Sequence, residues 1–262
     1  MKIVSFNVNS IRARLHQLEA VIEKHQPDFI GLQETKVVDD DFPEETINQL
    51  GYQVAFHGQK THYGVALLYK AEPSALLKGF PHDTDEAQKR FIAGTFPTSD
   101  QRQLTVINGY FPQGENRKHP TKFPNKEKFY ADLNDHIQAN HSGSDDLLLV
   151  VGDMNIAPVD ADIGIGDDNR KRWLKEGKTC FLPEEREWMG KLIGLGMTDV
   201  YRHHYPDVDD LFSWFDYRSK GFEKEPKRGL RIDLVLASNA ALKQSLDSGI
   251  DYDIRAMDKP SD

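Results

Sequence analysis

Short runs of Val, Ile, Leu and Phe alternate with polar stretches along the whole chain. Apolar runs of about four to eight residues, bounded by Gly, Pro and polar turn residues, are typical of buried strands. The predicted strands cover residues 3–6, 29–32, 52–56, 65–69, 90–96, 104–109, 147–151 and 230–236. Because helical patterns lie between several of these runs, the sequence predicts an α/β fold.

Apolar residues recur at helical spacing in the segments 15–22 and 129–137, which are predicted to be helices. A third helix is predicted to begin at Pro183, because proline suits the first helical position and Glu184 and Glu185 follow in the first turn. We expect the apolar faces of these helices to pack in the core. No low-complexity linker interrupts the pattern, so a single domain over residues 1–262 is predicted.

The composition is that of a globular protein, with 38% hydrophobic residues in a chain of 262. No apolar run reaches roughly 18 residues, the length of a membrane span, so no membrane partner is expected. The amino terminus begins with a strand-like segment and lacks the pattern of a signal peptide. The one cysteine, Cys180, is predicted to be a buried small hydrophobe without a catalytic role. These features predict a soluble protein in the reducing cytoplasm.

The net charge is −9, which taken alone argues against a nucleic-acid partner. Acidic residues that bind a metal contribute to this sum while they help to bind phosphate through the metal. A local basic cluster, Arg170, Lys171 and Arg172, can act independently of the total. The net charge therefore does not decide the substrate.

Polar side chains follow three of the predicted strands, at the points where the strands end. Asn7 follows the first strand, Glu34 follows the second, and Asp153 and Asn155 follow the apolar run 147–151. Polar groups in such places usually line a cleft, since burying them alone is costly. Carboxylate and amide oxygens are also the ligands that Mg²⁺ prefers. Each residue taken singly is better explained as a turn former or helix cap, and only their joint recurrence favours a metal site.

The order of the longer motifs indicates a family. The segments MKIVSFNVNSIRAR, IGLQETK, HYGVALL, INGYFPQG, VVGDMNIAP, FSWFDYRSKGF and GLRIDLVLAS follow one another along the chain. In these motifs the sequence resembles the bacterial exonuclease III group of AP endonucleases, in the endonuclease/exonuclease/phosphatase superfamily. The resemblance extends from Met1 to Asp262.

This resemblance implies a four-layer α/β sandwich, in which two packed β-sheets are flanked by helices. It also implies a DNA-repair nuclease that depends on Mg²⁺, with Mn²⁺ as an alternative. Such an enzyme hydrolyses the phosphodiester 5′ to abasic sites, degrades duplex DNA from 3′ ends and removes 3′ phosphates. The partner is then double-stranded DNA with abasic sites or 3′ ends, and the protein is expected to be a monomer in the bacterial cytoplasm, associated with the nucleoid through DNA.

The resemblance assigns roles to the strand-end residues. Glu34 is implied as the principal metal ligand, with Asn7 orienting or contacting the metal. Asp153 is implied to orient or deprotonate the attacking water, while Asn155 and the hydroxyl of Tyr110 contact the phosphate. A strand-end tyrosine with a wet hydroxyl is the purely structural alternative for Tyr110.

The segment near Asp262 carries a further expectation. The resemblance implies a catalytic histidine directly after Ser261 and Asp262, with Asp262 near the metal and Asp233 orienting that histidine. The sequence stops at Asp262, so the histidine and the strand expected to follow it are not in these 262 residues. A chain that truly ended there is expected to be impaired, because a positioned acid, base or donor contributes roughly 10²–10⁴-fold.

Two aromatic segments are candidates for DNA contact. One is the segment 169–173, predicted as a glycine-flanked loop in which Arg170, Lys171 and Arg172 precede Trp173. The other contains Trp214. For both, a loop held down by its own aromatic residue is an equally good explanation. Two isolated cations, Arg90 and Lys122, are further candidates for phosphate contact.

Two alternative functions remain open at the level of the sequence. The same superfamily core serves phosphoesterases that act on lipid or small phosphates, and a fold does not dictate a substrate. The expected histidine, absent from these residues, also allows a non-catalytic module that binds abasic DNA. Turnover without DNA would indicate the first alternative, and metal-independent binding without cleavage the second.

Overall fold

The computed structural model describes residues 1–143 and 145–261. The strands are Ile3–Asn7 (β1), Phe29–Gln33 (β2), Gln53–His57 (β3), Val65–Tyr69 (β4), Ala75–Lys78 (β5), Phe91–Pro97 (β6), Gln103–Tyr110 (β7), Leu147–Asp153 (β8), Met197–Asp199 (β9) and Asp233–Ser238 (β10). The helices are Leu15–His25 (α1), Glu44–Gln49 (α2), Lys122–Asn140 (α3), Asp167–Glu176 (α4), Pro183–Gly194 (α5), Val200–His204 (α6), Asn239–Leu242 (α7) and Tyr252–Arg255 (α8). Short 3-10 turns lie at Ile11–Ala13, Asp39–Asp41, Asp160–Asp162 and Gly221–Glu223.

The described residues divide into two compact units. Unit 1 contains Met1–Tyr110, Leu147–Asp153 and Asp251–Ser261, and unit 2 contains Phe111–Asp146 and Met154–Ile250. The prediction of a single domain stays a prediction. None of the described helices has the length and apolar character that a membrane span requires.

Unit 1 contains two mixed sheets. In the first, with strand order β1-β2-β4-β3, β1 and β2 are parallel and the other pairs are antiparallel. In the second, β5-β6-β7-β8 are neighbours, and only β7 and β8 of these four are parallel. Helix α1 packs its buried face on the first sheet, where Leu18 and Ile22 join Ile30 and Leu32 in one apolar cluster. The predicted α/β class with packed sheets and helices is therefore observed.

A buried asparagine joins the two sheets of unit 1. Asn108 of β7 is fully buried, and its amide nitrogen donates to the carbonyls of Leu32 at 2.9 Å and Ala66 at 2.8 Å. Its amide oxygen accepts from Gln33 at 2.7 Å. Gly31 allows this close approach, because a Cβ there would lie 2.8 Å from the Asn108 oxygen. Polar contacts thus fix how the two sheets face each other.

Unit 2 is built around packed helices and a short strand pair. Helices α3 and α5 meet through Phe123 and Trp188, whose ring centroids lie 5.2 Å apart. Strands β9 and β10 are antiparallel. Just before β10, the buried Arg231 makes a bidentate contact with Asp162, at 2.7 and 3.1 Å, and also contacts Asp199. These charged contacts hold the segment that leads into β10.

Two local predictions are wrong. The segment 169–173 is not a loop, because it lies within helix α4. The glycines that suggested a loop are the helix boundaries: Gly166 precedes the helix at φ 85°, and Gly177 ends it in the left-handed conformation. The strand predicted over 230–236 begins only at Asp233, which is therefore its first residue and not an interior one.

Candidate active site

In unit 1, the carboxylates of Glu34 and Asp153 both accept hydrogen bonds from the side-chain amide of Asn7. The Asn7 side-chain nitrogen donates to Glu34 Oε1 at 2.9 Å and to Asp153 Oδ2 at 3.0 Å. The Asn7 side-chain oxygen accepts from the backbone N–H of Asn9 at 3.0 Å, which fixes the orientation of the amide. Asn7 therefore holds the two carboxylates at a common point, and its amide nitrogen, not its oxygen, faces them.

Glu34 lies in a strained turn. Its φ is 54°, in the left-handed region that non-glycine residues rarely adopt. The turn is held by hydrogen bonds from Ser10 N to the Glu34 carbonyl at 2.7 Å and from Thr35 N to the Gly64 carbonyl at 3.1 Å. Strain of this kind costs about 1–3 kcal/mol and persists where the surroundings over-determine it. The backbone thus commits the Glu34 carboxylate to its place beside Asn7.

Lys36 is a member of the site that the sequence analysis missed. Its Nζ lies 2.9 Å from Glu34 Oε2 and donates to the side-chain oxygen of Asn9 at 2.5 Å. Lys36 stands two residues beyond Glu34 in the segment IGLQETK, and that spacing was the available signal. The ammonium partly balances the negative charge that Glu34 and Asp153 bring together.

Tyr110 is the last residue of β7 and pairs in register with Asp153 of β8. Burial, together with the negative charges of Glu34 and Asp153, raises the pKa of the Tyr110 hydroxyl well above its ordinary value of 10.0. The side chain therefore remains neutral and able to donate a hydrogen bond. Tyr110 thus lies near both carboxylates, and its contact with the phosphate stays a prediction.

Arg90 is not the surface cation that the sequence suggested, since it is only 8% exposed. Its guanidinium lies between two rings, 4.4 Å from the Tyr63 centroid and 4.5 Å from the Tyr110 centroid. It also donates to the Tyr110 carbonyl at 3.0 Å and to Gln88 at 2.6 Å. Burial lowers the pKa of Arg90, and the neighbouring tyrosines act in the opposite direction. Arg90 thus packs against and supports Tyr110.

In unit 2, Asn155 follows Asp153 by two residues and is 5% exposed. Its φ of 53° is again left-handed. The side-chain nitrogen donates to the Phe111 carbonyl at 3.1 Å, and the Asn155 carbonyl accepts from Lys126 at 2.8 Å. Asn155 is therefore held at both its side chain and its backbone.

Asp233 begins β10 directly after the Arg231 contacts. The backbone N–H groups of Ile232 and Asp233 both donate to the Ser213 hydroxyl, each at 3.0 Å. The side chain of Asp233 is half-buried. The position predicted for Asp262 lies outside the described residues.

The candidate DNA contacts on helix α4 of unit 2 differ from one another in exposure and in their partners. On α4, Lys171 and Arg172 are exposed, whereas Arg170 forms an ion pair with Asp160 at 2.6 Å. Trp173 stacks on Phe181, with 5.8 Å between centroids and 5° between ring planes.

The remaining two candidates are also engaged within unit 2. Trp214 is partly buried against an apolar cluster around Leu230 and Ile232. Lys122 is exposed and paired with Glu115 at 2.5 Å. Both tryptophans are thus packed by their own neighbours, the structural alternative that the sequence left open.

The donor set of unit 1 suits a hard cation. Glu34 contributes carboxylate oxygens at a side-chain exposure of 15%, and Asp153 lies on the same amide of Asn7. Among residues 1–143 and 145–261 there is no cluster of three His, Cys, Asp or Glu side chains of the kind that encloses a metal. A cation such as Mg²⁺ needs only one or two carboxylates and keeps several waters, so these residues fit it.

Comparison with known proteins identifies a matching family and a similar relative. The model of the Endonuclease/Exonuclease/phosphatase family matches residues 4–262. A relative from Haemophilus influenzae named exodeoxyribonuclease III is 58% identical over 262 residues, which are 100% of this chain and 97% of the relative.

Solved structures of nucleic-acid-processing enzymes also resemble this chain. A 3′ phosphatase from Neisseria bound to a product DNA hairpin has a TM-score of 0.87 and 36% identity, and an AP endonuclease from Archaeoglobus fulgidus has 0.89 and 32%. Both matches cover 100% of this chain and 96% of the other. The predicted resemblance and fold class are confirmed.

Proposed function

The chain belongs to the Endonuclease/Exonuclease/phosphatase family and is an enzyme of the nuclease class, and on this premise we propose that it is a DNA-repair nuclease that cuts 5′ to abasic sites. We further propose that it degrades duplex DNA from 3′ ends and removes 3′ phosphates. The observation that carries the proposal is the Asn7 amide, which holds Glu34 and Asp153 together at 2.9 and 3.0 Å. Two fixed carboxylates serve the two requirements of hydrolysis, a metal ligand and a group that activates water.

Nucleases of this family depend on a metal, and we propose Mg²⁺, with Mn²⁺ as an alternative. When bound, the metal supplies Lewis-acid assistance by neutralising a phosphate oxygen and the developing alkoxide. Glu34 would hold it, Asp262 is proposed as a further ligand, and Asn7 would orient both Glu34 and Asp153. The structure of Asn7 supports the orienting role more than direct ligation, because its amide oxygen is engaged by Asn9.

The protein groups then act on water and phosphate. Asp153 orients the attacking water and accepts its proton, since its carboxylate is fixed by the Asn7 amide. Tyr110 keeps its hydroxyl proton and donates a hydrogen bond to a phosphate oxygen. Asn155 donates to the phosphate without adding negative charge, and Asp233 orients the catalytic histidine that the family resemblance implies. These roles remain the proposal for each residue.

Selectivity for an abasic site follows from the cost of moving a nucleotide out of the duplex. An abasic nucleotide has no base to unstack or unpair, so extruding it costs less than extruding a normal one. The candidates for DNA contact remain Arg90, Lys122, Arg170, Lys171, Arg172, Trp173 and Trp214. Among them the exposed Lys171 and Arg172 are best placed to meet phosphates directly. Activity as a monomer, in the bacterial cytoplasm and at the nucleoid, belongs to the same proposal.

The test is cleavage of an end-labelled duplex that contains one abasic site, by the full-length protein with Mg²⁺ or with EDTA. We expect a single cut 5′ to the lesion that leaves a 3′ hydroxyl and requires the metal. Undamaged single-stranded DNA, an inositol phosphate and a simple aryl phosphate are the comparison substrates. Faster turnover of the small phosphates than of abasic DNA would contradict the proposal and favour a phosphatase.

A further inference from the structure

Unit 2 contains a buried ion pair that the proposed mechanism does not use. Lys126 of α3 and Glu185 of α5 are both 0% exposed, and Lys126 Nζ lies 2.5 Å from Glu185 Oε1. The second oxygen of Glu185 accepts from the backbone N–H of Leu182 at 2.8 Å, ahead of α5. Every charged atom of this pair is therefore held in a fixed place.

The ammonium of Lys126 has two further acceptors. It donates to the Asn155 carbonyl at 2.8 Å and to the Gln113 carbonyl at 3.3 Å. An ammonium has three donors, and those of Lys126 are satisfied by Glu185, Asn155 and Gln113. One of these three acceptors belongs to a residue proposed to contact the phosphate.

A second residue of α3 holds the same loop. The Tyr130 hydroxyl, one helical turn after Lys126, donates to the Met154 carbonyl at 2.7 Å. Residues four apart lie on the same helix face. Helix α3 thus donates to two successive carbonyls, those of Met154 and Asn155, at the point where the Asn155 backbone adopts its left-handed φ of 53°.

Stability alone does not explain a charged pair in this place. Taking two charges out of water is costly, and well-packed apolar residues of similar volume often stabilise a fold as well or better. An apolar pair would, however, remove the Lys126 hydrogen bond from the Asn155 carbonyl. The particular contribution of the charge is the fixed geometry of the Asn155 backbone.

We propose that Lys126, fixed by Glu185 and assisted by Tyr130, is a positioning residue that sets the orientation of Asn155 for its contact with the phosphate. This inference rests on the proposed function, in which Asn155 donates to the phosphate. Lys126 touches no substrate itself. Its effect is expected in kcat, since a misplaced donor loses its strength in the transition state while the remaining DNA contacts are unchanged.

The test compares four forms of the full-length protein on abasic duplex: wild type, Lys126→Met/Glu185→Met, Asn155→Ala, and all three substitutions together. Removing both charges avoids leaving one buried and unpaired. The pair Lys128→Gln/Asp132→Asn is the matched control, because it removes an exposed ion pair from the same helix. For each form kcat, KM and the melting temperature are measured.

We expect Lys126→Met/Glu185→Met to lower kcat roughly 10- to 100-fold at nearly unchanged KM, the size of effect that small misplacement produces. In the Asn155→Ala background the same two substitutions should have almost no further effect on kcat. A wild-type kcat in the double variant would overturn the inference, and so would an equal loss in the Asn155→Ala background. A wild-type kcat for Asn155→Ala alone would instead contradict the proposed role of Asn155.

Should Lys126→Met/Glu185→Met fail to fold, Tyr130→Phe tests the same device without removing a charge. It deletes only the hydroxyl that holds the Met154 carbonyl. A severalfold lower kcat at unchanged KM is expected, and it should disappear in the Asn155→Ala background. A kcat equal to that of the wild type would overturn the inference.

Discussion

At the scale of single residues, two side chains with proposed roles lie on strained backbone. Glu34 and Asn155 have φ values of 54° and 53°, although neither is glycine. Each is held by neighbouring hydrogen bonds, Glu34 through Ser10 and Asn155 through Lys126 and Phe111. Strain that the surroundings maintain is a recurring feature of functional sites. The same left-handed conformation occurs at Lys36, at φ 57°, so the strain accompanies this site without singling out these two residues.

Tyr110 gives a prediction about pH. Because burial and two nearby carboxylates raise its pKa above 10.0, its proton is retained to higher pH than in an ordinary tyrosine. Tyr110→Phe should therefore lower kcat by one constant factor, roughly 10²-fold for a lost donor, from about pH 6 to about pH 9, below the ordinary tyrosine pKa. The pH–rate profile is measured for both forms, with Tyr252→Phe as the control.

The shape of the pH–rate profile shows whether the Tyr110 hydroxyl stays protonated over this range of pH. If the wild type shows an alkaline limb that Tyr110→Phe lacks, Tyr110 titrates in this range and burial does not keep its hydroxyl protonated. Parallel profiles agree with a hydroxyl that stays protonated and only donates.

At the scale of elements, helix α4 changes how the basic cluster must be viewed. Along a helix, consecutive cations point in different directions, so Arg170, Lys171 and Arg172 do not form one continuous patch. Arg170 is already paired with Asp160, and Trp173 is stacked on Phe181. Of this cluster, Lys171 and Arg172 remain exposed to an incoming phosphate.

Lys171→Gln should therefore weaken DNA binding in a salt-dependent manner. Each lost phosphate contact reduces the slope of log K against log salt by about 0.9. Binding to abasic duplex is measured by fluorescence anisotropy over a range of salt, with EDTA present to prevent cleavage. Lys243→Gln, another exposed lysine, is the control and should keep the wild-type slope. An unchanged slope for Lys171→Gln would remove α4 from the DNA-binding surface.

Much of this element order is readable from the sequence. Each predicted strand overlaps an observed one, because apolar runs mark buried strands independently of their partners. Strands β5 and β9 were missed, since β5 is largely exposed and β9 has only three residues. Helix α4 was missed because its charged residues carry little apolar periodicity and its capping glycines resemble loop signals.

The site was predictable to a similar depth. Asn7 ends β1 and Glu34 directly follows the parallel neighbour β2, and the carboxyl ends of these strands lie at one sheet edge, so their convergence could be expected. Lys126 could not be recognised, because nothing local distinguishes a buried lysine from a solvated one. Its burial depends on Glu185, which is 59 positions away along the chain. Partners of that kind are set by tertiary packing alone.

At the scale of the whole molecule, unit 1 depends on polar contacts between its two sheets. Asn108 donates to two backbone carbonyls of the first sheet and accepts from Gln33 without any exposure to water. Apolar burial is non-directional, whereas hydrogen bonds are directional. Asn108 therefore sets the relative position of the sheets on which Asn7, Glu34 and Tyr110 stand.

Asn108→Ala should reduce the free energy of unfolding by about 3 kcal/mol, because buried polar groups left without partners cost roughly 1–3 kcal/mol each. Urea denaturation of the variant and the wild type measures the difference. Asn48→Ala, which truncates an exposed asparagine on α2, is the control. A loss below about 1 kcal/mol would mean that the sheets are positioned by apolar packing and that Asn108 is dispensable.

The central claim is that Glu34 holds the metal and that Asp153 activates the attacking water. A Mg²⁺ titration of abasic-duplex cleavage tests it most directly. Glu34→Gln, Asp153→Asn and the exposed control Glu187→Gln are compared with the wild type. Glu34→Gln is predicted to require more Mg²⁺ for half-maximal activity and to recover part of its rate at high Mg²⁺. Asp153→Asn is predicted to keep the wild-type Mg²⁺ requirement while kcat falls roughly 10²–10⁴-fold. The same Mg²⁺ requirement in Glu34→Gln as in the wild type, or rescue of Asp153→Asn by high Mg²⁺, would contradict the assignment.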